Sequence, residues 1–312
     1  MIFIALGVIL VFFVIIPFAC YLRVFYLKRQ KPLKPDEYAI PEEEDYLKIK
    51  DQLIKWIDFA RSHPYEVFET TSFDGLKLTG KYYEKAKGAP IEIMFHGYKG
   101  TGERDLSGGI ERCFALNRNA LIVDQRGAGN SQGKSTTFGV KESKDCLSWI
   151  NFVLSRFGNG VEIILTGISM GGATVLTATE YDLPKNVKYV LADCSYSSAE
   201  KIIKKVITDM LLPVKLAYPF VKLGGKIFGG FNLESTSPLL AMEKCTVPVI
   251  FFHGDKDGFV PSYMSKEVFE KCKTAKKLVL ISGAGHGLAY PLDKELYLNS
   301  IREFENSIGF KY

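Results

Sequence analysis

The sequence predicts an α/β fold with a mostly parallel sheet of eight strands and helices on both faces. Short apolar runs, typical of buried strands, alternate with amphipathic segments from residue 66 to the end. Glycine-rich and polar motifs directly follow several of these runs. Because strand–helix alternation predicts parallel pairing, we expect functional groups at the carboxyl ends of the strands.

The strands and helices can be assigned in chain order. The turn Asp74-Gly75 joins the first two strands, which are therefore expected to be antiparallel. The predicted strands are 67–72, 77–84, 91–95, 120–123, 163–165, 187–192, 247–252 and 277–281, and the helices of the alternating pattern are 104–116, 142–157, 262–272 and 294–308. After the sixth strand, residues 196–237 contain no predicted strand, only helices at 199–211 and 214–223 and a Gly- and Phe-rich loop at 224–232. We interpret this insertion as a helical lid.

The first 27 residues predict a transmembrane anchor. Residues 2–22 are uncharged and predominantly apolar, and about 20 such residues cross a bilayer. This run is longer than the apolar region of a cleaved signal peptide, and no basic residue precedes it. Five basic residues follow the run: Arg23, Lys28, Arg29, Lys31 and Lys34. The positive-inside rule then predicts a single-pass protein of the cell membrane with its main domain in the cytoplasm.

Residues 28–65 separate the predicted anchor from the main domain, residues 66–312. The first part is basic and proline-rich, as expected of a linker that lifts the domain off the membrane. Residues 46–60 then have the apolar spacing of an amphipathic helix. This helix either braces the domain or lies on the membrane surface, and we favour the brace.

Charge and cysteine content exclude several classes of function. The net charge of +5 equals the five basic residues of the N-terminal cluster, and the remaining chain carries 35 basic and 35 acidic residues. This balance gives no support for nucleic-acid binding. The six cysteines are scattered, with no CxxC pair and no histidine at metal-ligand spacing. We predict no metal and no organic cofactor.

The segment EIILTGISMGGATVLT, residues 162–177, contains the motif on which the functional prediction depends. An apolar strand runs into Gly167-Ile168-Ser169-Met170-Gly171, and small residues suited to a tightly packed helix follow. GxSxG between a strand and a helix is typical of a nucleophile elbow, a strained turn that exposes its central serine. A glycine-rich turn without chemical function is the alternative. The flanking strand and helix favour Ser169 as a nucleophile.

A serine nucleophile needs a histidine base, and elimination among four histidines points to one. His63 precedes the main domain, whereas His96 and His253 each stand before a glycine at a strand end, where a structural hydrogen bond is expected. His286 lies in a glycine-flanked loop after the last strand, free to reach the elbow. The base needs a carboxylate on its far nitrogen.

Three aspartates at strand ends are candidates for that carboxylate: Asp193, Asp255 and Asp257. The oxyanion of such a reaction needs two backbone N–H groups. One is expected from Met170, directly after the nucleophile, and the other from Tyr98, in the loop after the third strand. We expect the side chains of these two residues merely to line the pocket.

The segments HGYKG, DQRGAGNSQG, GISMGG, HGDKDGFVP and GAGHG resemble, in this order, the α/β-hydrolase superfamily over residues 66–312. The resemblance is nearest to the bacterial branch labelled serine aminopeptidase or prolyl-oligopeptidase-like, with membrane-anchored depalmitoylase-like and cinnamoyl-esterase-like relatives. It implies the α/β-hydrolase fold and assigns the acid to Asp257, four residues after His253. It also implies that Asp124 and Arg126 of DQRGAGNS brace the sheet and are not catalytic.

The resemblance implies a serine hydrolase acting through an acyl-enzyme, and esterases, thioesterases, lipases and peptidases all belong to this class. The insertion is rich in apolar residues, some of which we expect to line an acyl pocket. With the anchor, this favours a carboxylic ester or thioester (EC 3.1) that is small or lipid-like, or an acylated protein. A peptidase, a non-hydrolytic acyltransferase and a binding module on the same fold are the alternatives. Glu200 and Asp209 are the only acidic pair in the insertion that suggests a peptidase, and they fit a solvated helix face equally well.

Overall fold

A computed structural model describes residues 11–29, 34 and 36–311 of the chain. The strands are β1 Glu66–Thr71, β2 Lys77–Tyr83, β3 Ile91–Phe95, β4 Asn119–Asp124, β5 Ile163–Ile168, β6 Val187–Asp193, β7 Val249–Gly254 and β8 Lys276–Ile281. The helices are α1 Ile16–Val24, α2 Glu44–Lys48, α3 Lys50–Ser62, α4 Gly102–Ala115, α5 Glu142–Phe157, α6 Met170–Ala178, α7 Ala199–Asp209, α8 Val214–Phe228, α9 Pro238–Ala241, α10 Tyr263–Lys271, α11 Ala289–Leu292 and α12 Lys294–Ser307. A π-helical turn, Val11–Ile15, precedes α1.

One sheet joins all eight strands in the order β1-β2-β4-β3-β5-β6-β7-β8. β2 pairs antiparallel with β1 and β4, and the other neighbours pair parallel, which confirms the predicted mostly parallel sheet. Alternate residues of each strand point to opposite faces. In β5, Leu165 packs in the core beneath α5 and α6, whereas Ile164 packs in the core beneath α12. Helices therefore cover both faces, and the carboxyl ends of β3, β5, β6 and β7 meet at one edge.

The N-terminal helix lies against the insertion between β6 and β7. Aromatic rings pair from α1 to α8, with Phe18 and Phe228 at 5.0 Å between ring centroids. Gly224 permits this close approach, because a Cβ there would lie 2.4 Å from the Pro17 carbonyl oxygen. Phe25, at the end of α1, is fully buried against Phe231. The sequence predicts a linker that begins at residue 28, and α1, which precedes it, is docked directly on the insertion.

Within residues 11–29, 34 and 36–311, no helix combines the length and the apolar character that crossing a membrane requires. The predicted transmembrane helix is therefore not found there, and residues 1–10 of the predicted anchor lie outside the described residues.

The insertion itself follows the prediction except at its end. It carries α7 and α8 and no strand before β7. Residues 224–228, predicted as loop from their Gly and Phe content, continue α8 instead. Tertiary packing explains the difference, because both glycines of this turn face α1: Gly224 meets Pro17, and Gly225 meets Phe25. The helix propensity lost at the glycines is outweighed by that close contact.

Residues 46–60, predicted as one amphipathic helix, form parts of two. Ile49 has φ −112° and ψ 16°, which separates α2 from α3. The apolar face of α3 packs against the body rather than toward solvent: Trp56, Ile57 and Ala60 are buried. This is the arrangement expected of a brace.

Candidate active site

Ser169 stands in the sharp turn between β5 and α6. Its φ of +56° is in the left-handed region, where a non-glycine residue is strained. The turn depends on the two glycines of the motif, because a Cβ on Gly167 would lie 2.0 Å from the Gly171 carbonyl oxygen and one on Gly171 would lie 1.9 Å from the Phe95 carbonyl oxygen. No real Cβ tolerates such distances, so the elbow geometry requires glycine at both positions.

The structure brings Ser169, His286 and Asp257 together. His286 Nε2 lies 2.9 Å from Ser169 Oγ, and His286 Nδ1 lies 2.7 Å from Asp257 Oδ2. In this arrangement the imidazole can accept the hydroxyl proton on one nitrogen, while the carboxylate holds a proton on the other. The three side chains come from the ends of β5 and β7 and from the loop after β8, as the sequence predicts.

Asp257 is buried in a site built to keep it ionised. Its Oδ1 accepts the backbone N–H groups of Phe259 (3.0 Å) and Val260 (2.8 Å). Burial alone raises the pKa of this carboxyl, but hydrogen bonds and charge from His253 and His286 outweigh burial and lower the pKa to about 2. The carboxylate is therefore available to orient and charge-stabilise the imidazole throughout the neutral pH range.

The other three histidines and the rival aspartate Asp255 do not contact Ser169 or the His286 ring in these hydrogen bonds. His96 Nδ1 lies 2.8 Å from the Gly97 carbonyl oxygen, and its Nε2 accepts the Gln125 N–H. His253 holds Asp257 from the other side, with its Nε2 3.2 Å from Asp257 Oδ2 and its Nδ1 2.7 Å from Ser265 Oγ. His63 stacks on Phe59. Asp255 accepts the Gly283 N–H at 2.7 Å and so braces the His286 loop from the outside.

Asp193, the third candidate acid, is buried at the end of β6, and its Oδ2 accepts the Tyr297 hydroxyl at 2.9 Å. Its backbone carbonyl accepts the Ser169 N–H at 2.8 Å, so Asp193 helps to hold the elbow turn in place. Burial raises the pKa of the Asp193 carboxyl to about 6, above its ordinary value of 3.8.

We expect Asp193→Asn to change how stability depends on pH. The native state of the wild type binds the Asp193 proton more tightly than the unfolded state, so its free energy of unfolding falls as pH rises through the window between 3.8 and about 6. Asparagine retains an acceptor for Tyr297 and does not titrate. Between pH 4 and pH 7 the wild type should lose about 2 kcal/mol relative to Asp193→Asn, measured by urea denaturation. A difference that is constant with pH would contradict the raised pKa.

The two backbone N–H groups predicted for the oxyanion belong to Tyr98 and Met170. Met170 is the first residue of α6, so its N–H has no partner within the helix. Gly97 and Tyr98 line the same cavity as Ser169. Asp105, which is not among the residues predicted from the sequence, fixes this loop: its Oδ2 accepts the Gly97 N–H at 2.9 Å and fills the space that a Cβ on Gly100 would need. The detectable signal was an acid in the first turn of the helix that follows HGYKG.

The side chains of Tyr98 and Met170 have different surroundings. The Tyr98 hydroxyl donates to the Val24 carbonyl at 2.6 Å, which ties the loop after β3 to the end of α1. The Met170 side chain is buried in the cluster beneath the insertion, with its sulfur 3.1 Å from Thr136 Oγ1. Tyr98 lines the cavity as expected, whereas Met170 is not among the cavity-lining residues.

The turn after β4 has the structural role that the resemblance implies. Arg126 makes ion pairs with Asp145 (2.7 Å) and Asp74 (3.0 Å), and Asp124 accepts the backbone N–H groups of Gly102 and Asn130, both at 3.0 Å. These contacts join β4 to the turn after β1 and to the start of α4.

A cavity of about 510 Å³ opens in front of Ser169 and His286. Its walls come from the elbow, α4, residues 285–291 and the segment 39–57, which we call the wall segment. No described residue of 196–237 lines it, so the expectation that the insertion forms the acyl pocket is wrong for this cavity. The insertion packs instead on α1 and around Met170 and Met264. The contribution of the wall segment to the cavity is not predicted from the sequence.

The wall segment also contacts the histidine loop. The Tyr46 hydroxyl donates to the His286 carbonyl oxygen at 2.8 Å. Burial raises the pKa of Tyr46, so its hydroxyl stays protonated and can donate this hydrogen bond. A Cβ on Gly287 would lie 2.7 Å from the same hydroxyl, so the close contact depends on a glycine there.

Within the described part of the chain, one group of three potential metal ligands occurs: Cys194, Asp257 and His286, whose ligand atoms lie within 4.8 Å of one another. Hydrogen bonds already join Asp257 and His286 to each other and to Ser169. Burial raises the pKa of the Cys194 thiol and keeps it neutral, which makes it a poor metal ligand. The group is explained as part of the Ser169 site.

Comparison with known proteins places the chain among hydrolase-like relatives. No family model matches it. It is 26% identical over 195 residues to the uncharacterized protein YqkD of Bacillus subtilis, a match covering 62% of this chain and 64% of YqkD, and so spans less than two thirds of that relative. It is 27% identical over 153 residues to the thiohydrolase aneE of Aspergillus aculeatus, covering 47% of this chain and 48% of aneE.

Solved structures share the fold. The Pyrococcus furiosus esterase Pf2001 superimposes with a TM-score of 0.67 at 22% identity, covering 91% of this chain and 98% of the esterase chain. The alpha/beta hydrolase domain-containing protein 10 from mouse superimposes with a TM-score of 0.56 at 22% identity, covering 78% and 99% of the two chains. At this identity the likeness concerns the fold alone.

Proposed function

We propose that this chain, which belongs to the α/β-hydrolase superfamily, is a serine hydrolase that cleaves a carboxylic ester or thioester through Ser169, His286 and Asp257. The observation that carries the proposal is the unbroken chain of contacts from Ser169 Oγ through both nitrogens of His286 to Asp257, at 2.9 and 2.7 Å. Hydrogen bonding of this kind, at an elbow beside an open cavity, is what acyl transfer to serine requires.

In the proposed reaction, His286 Nε2 takes the Ser169 proton as Oγ attacks the acyl carbon. The N–H groups of Tyr98 and Met170 stabilise the negative oxygen of the tetrahedral intermediate. The imidazolium then gives its proton to the leaving alcohol or thiol, and the acyl group remains on Oγ. Water attacks the acyl-enzyme, His286 accepts the water proton, and collapse of the second tetrahedral intermediate returns a proton to Ser169 and releases the acid.

Ester or thioester hydrolysis is preferred for two reasons. The cavity beside Ser169 is lined largely by apolar side chains, which suit an acyl group. Among proteins similar to this chain, Pf2001 is described as an esterase and aneE as a thiohydrolase. The substrate would be a small or lipid-like acyl ester, or an acyl group on a protein.

The test is hydrolysis of p-nitrophenyl esters from acetyl to palmitoyl by the full chain, with Ser169→Ala as the paired variant. We expect measurable turnover, and a fall of at least about 1,000-fold in kcat/KM for the variant, because the nucleophile is lost while binding remains. A circular dichroism spectrum equal to that of the wild type controls for folding. Equal rates in both proteins would refute the proposal.

An aminopeptidase is a second candidate, favoured by one observation. Glu43 and Asp45 are exposed carboxylates that line the same cavity, where they could hold the protonated amino terminus of a peptide. The two acids suggested by the sequence do not have this position: Glu200 pairs with Lys204, Asp209 pairs with Lys205 at 2.6 Å, and neither lines the cavity. Aminoacyl p-nitroanilides, run beside the ester series, distinguish the candidates, because an aminopeptidase cleaves them faster than their N-acetylated forms.

We also propose that residues 2–22 hold the protein at the cell membrane, with the main domain in the cytoplasm. The proposal rests on the uncharged apolar run and the basic cluster after it. The full chain should sediment with membranes and resist carbonate extraction, and protease added to intact cells should leave the domain uncut. Release by carbonate would contradict the anchor, and cleavage would contradict the orientation.

A further inference from the structure

The wall segment, residues 39–57, forms one side of the Ser169 cavity although it precedes the hydrolase-like domain in sequence. Ile40, Pro41, Tyr46, Leu53 and Trp56 are among its cavity-lining residues. Other lining residues come from α4 and from residues 288–291. One side of the cavity is therefore formed by residues that precede the predicted start of the main domain at residue 66.

The cavity lining combines an apolar part with charged side chains. The apolar part includes the buried side chains of Trp56, Ile57, Met94, Leu106 and Leu288. Some charged lining side chains are exposed, as those of Glu43, Asp45 and Lys256 are, whereas those of Arg112 and Asp193 are buried. The two buried charged groups have partners of their own, because Arg112 pairs with Glu92 and Asp193 accepts the Tyr297 hydroxyl. The apolar part of the lining fits the hydrocarbon chain of a substrate whose carbonyl group is held at Ser169.

Trp56 is held in place by contacts on several sides. Its ring stacks on Tyr290 at 5.8 Å between centroids, and its Nε1–H donates to Glu111 at 2.8 Å. A Cβ on Gly108 of α4 would lie 2.8 Å from the indole, so this glycine lets the ring pack directly on the helix. The apolar wall is thus preformed, which lowers the entropic cost of binding an acyl group.

We infer that the acyl group of the substrate binds against the apolar part of this lining, to which α3 and α4 both contribute, and that the wall segment sets the acyl-chain preference. The inference rests on the proposed function and adds the position and chemical class of the acyl subsite: a straight apolar chain longer than acetyl. Leu53 is the residue through which α3 controls the length of the subsite, because it is half-buried and lines the cavity.

The wall segment contacts the loop that carries His286, in addition to lining the cavity. Tyr46 donates to the His286 carbonyl from the same segment whose α3 lines the cavity. A chain that begins at residue 66 lacks both the acyl-side wall and this contact, so experiments on the subsite need the full chain.

The test compares Leu53→Trp and Leu53→Ala with Lys55→Trp, which places the same indole on an exposed position of α3 that does not line the cavity. The ratio of kcat/KM for the decanoyl ester to that for the acetyl ester is measured. Leu53→Trp should lower this ratio at least tenfold, because the indole occupies the subsite. Leu53→Ala should shift the optimum to longer chains, and Lys55→Trp should keep the wild-type ratio.

Binding of decanoic acid, followed by calorimetry, gives a second readout that needs no turnover. Leu53→Trp should weaken this binding at least tenfold relative to Lys55→Trp. If esters are hydrolysed but the chain-length ratio and decanoic acid binding are the same in all four proteins, the subsite is wrong and the hydrolase stands. If no ester is hydrolysed while Leu53→Trp alone weakens decanoic acid binding, the proposed function fails and the apolar subsite stands.

Discussion

Replacement of Asp257 by asparagine is expected to lower kcat/KM for ester hydrolysis by about 1,000- to 10,000-fold with the fold intact. In the proposed reaction the carboxylate does two things that an amide does not: it fixes the proton on His286 Nδ1, and its charge stabilises the imidazolium that forms when Ser169 gives up its proton. Asparagine can present its NH₂ group to Nδ1, which selects the tautomer whose Nε2 already carries a proton. That nitrogen then cannot act as the base.

Asp255→Asn is the matched control for this experiment. It changes the same functional group two residues away, on a carboxylate whose Oδ1 accepts the Gly283 N–H and does not contact His286. We expect less than about a tenfold effect on kcat/KM, because an amide oxygen can still accept that bond. If Asp255→Asn cost as much as Asp257→Asn, the two aspartates would not differ in role, and the assignment of Asp257 would lose its basis. Circular dichroism and the urea midpoint of each variant show whether a loss reflects unfolding.

The fold and the Ser169–His286–Asp257 contacts were predictable because their signals are local. Strand–helix alternation comes from periodicity within a few residues, and each candidate group directly follows its own strand in the sequence. The choice of Asp257 over Asp255 needed the family resemblance, since both follow β7 within the same loop. The structure adds the physical difference: Asp257 faces His286, whereas Asp255 faces Gly283.

The cavity wall could not be predicted in the same way, because it depends on long-range packing. Nothing near Trp56 in the sequence indicates that its ring meets Tyr290 and Gly108, and nothing near Tyr46 indicates His286 as partner. The apolar content of the insertion is evident in the sequence, but the part of it that is expected to line an acyl pocket does not line the cavity beside Ser169. Much of that surface is used to pack on α1, whose docking the sequence did not indicate.

A buried charge network between β3 and α12, which the sequence does not indicate, supports the strand that leads into the loop of Gly97 and Tyr98. Glu92, in the middle of β3, is fully buried and contacts the guanidinium groups of Arg112 and Arg118, the latter at 2.7 Å. Thr166 of β5 donates to the same carboxylate at 2.8 Å, and Arg118 continues the network to Glu305 of α12. Burial raises the pKa of Glu92, but the charges of the two arginines outweigh it and lower the pKa to about 2.

Replacement of Glu92 by glutamine is therefore expected to lower the free energy of unfolding at pH 7 by about 3 to 5 kcal/mol, because it leaves two buried arginines without their shared counter-charge. Glu69→Gln is the control: Glu69 pairs with Lys77 at 2.9 Å on the surface, where an ion pair contributes about 0 to 1 kcal/mol. Because the folded pKa of Glu92 is depressed, its contribution is fully present above the unfolded value of 4.5 and is lost as pH falls toward 2. Urea denaturation at pH 7 and pH 3 should show the difference between wild type and Glu92→Gln shrinking with acid. Equal losses for Glu92→Gln and Glu69→Gln at pH 7 would mean that the network contributes no more than a surface pair, and that β3 is held by its apolar residues alone.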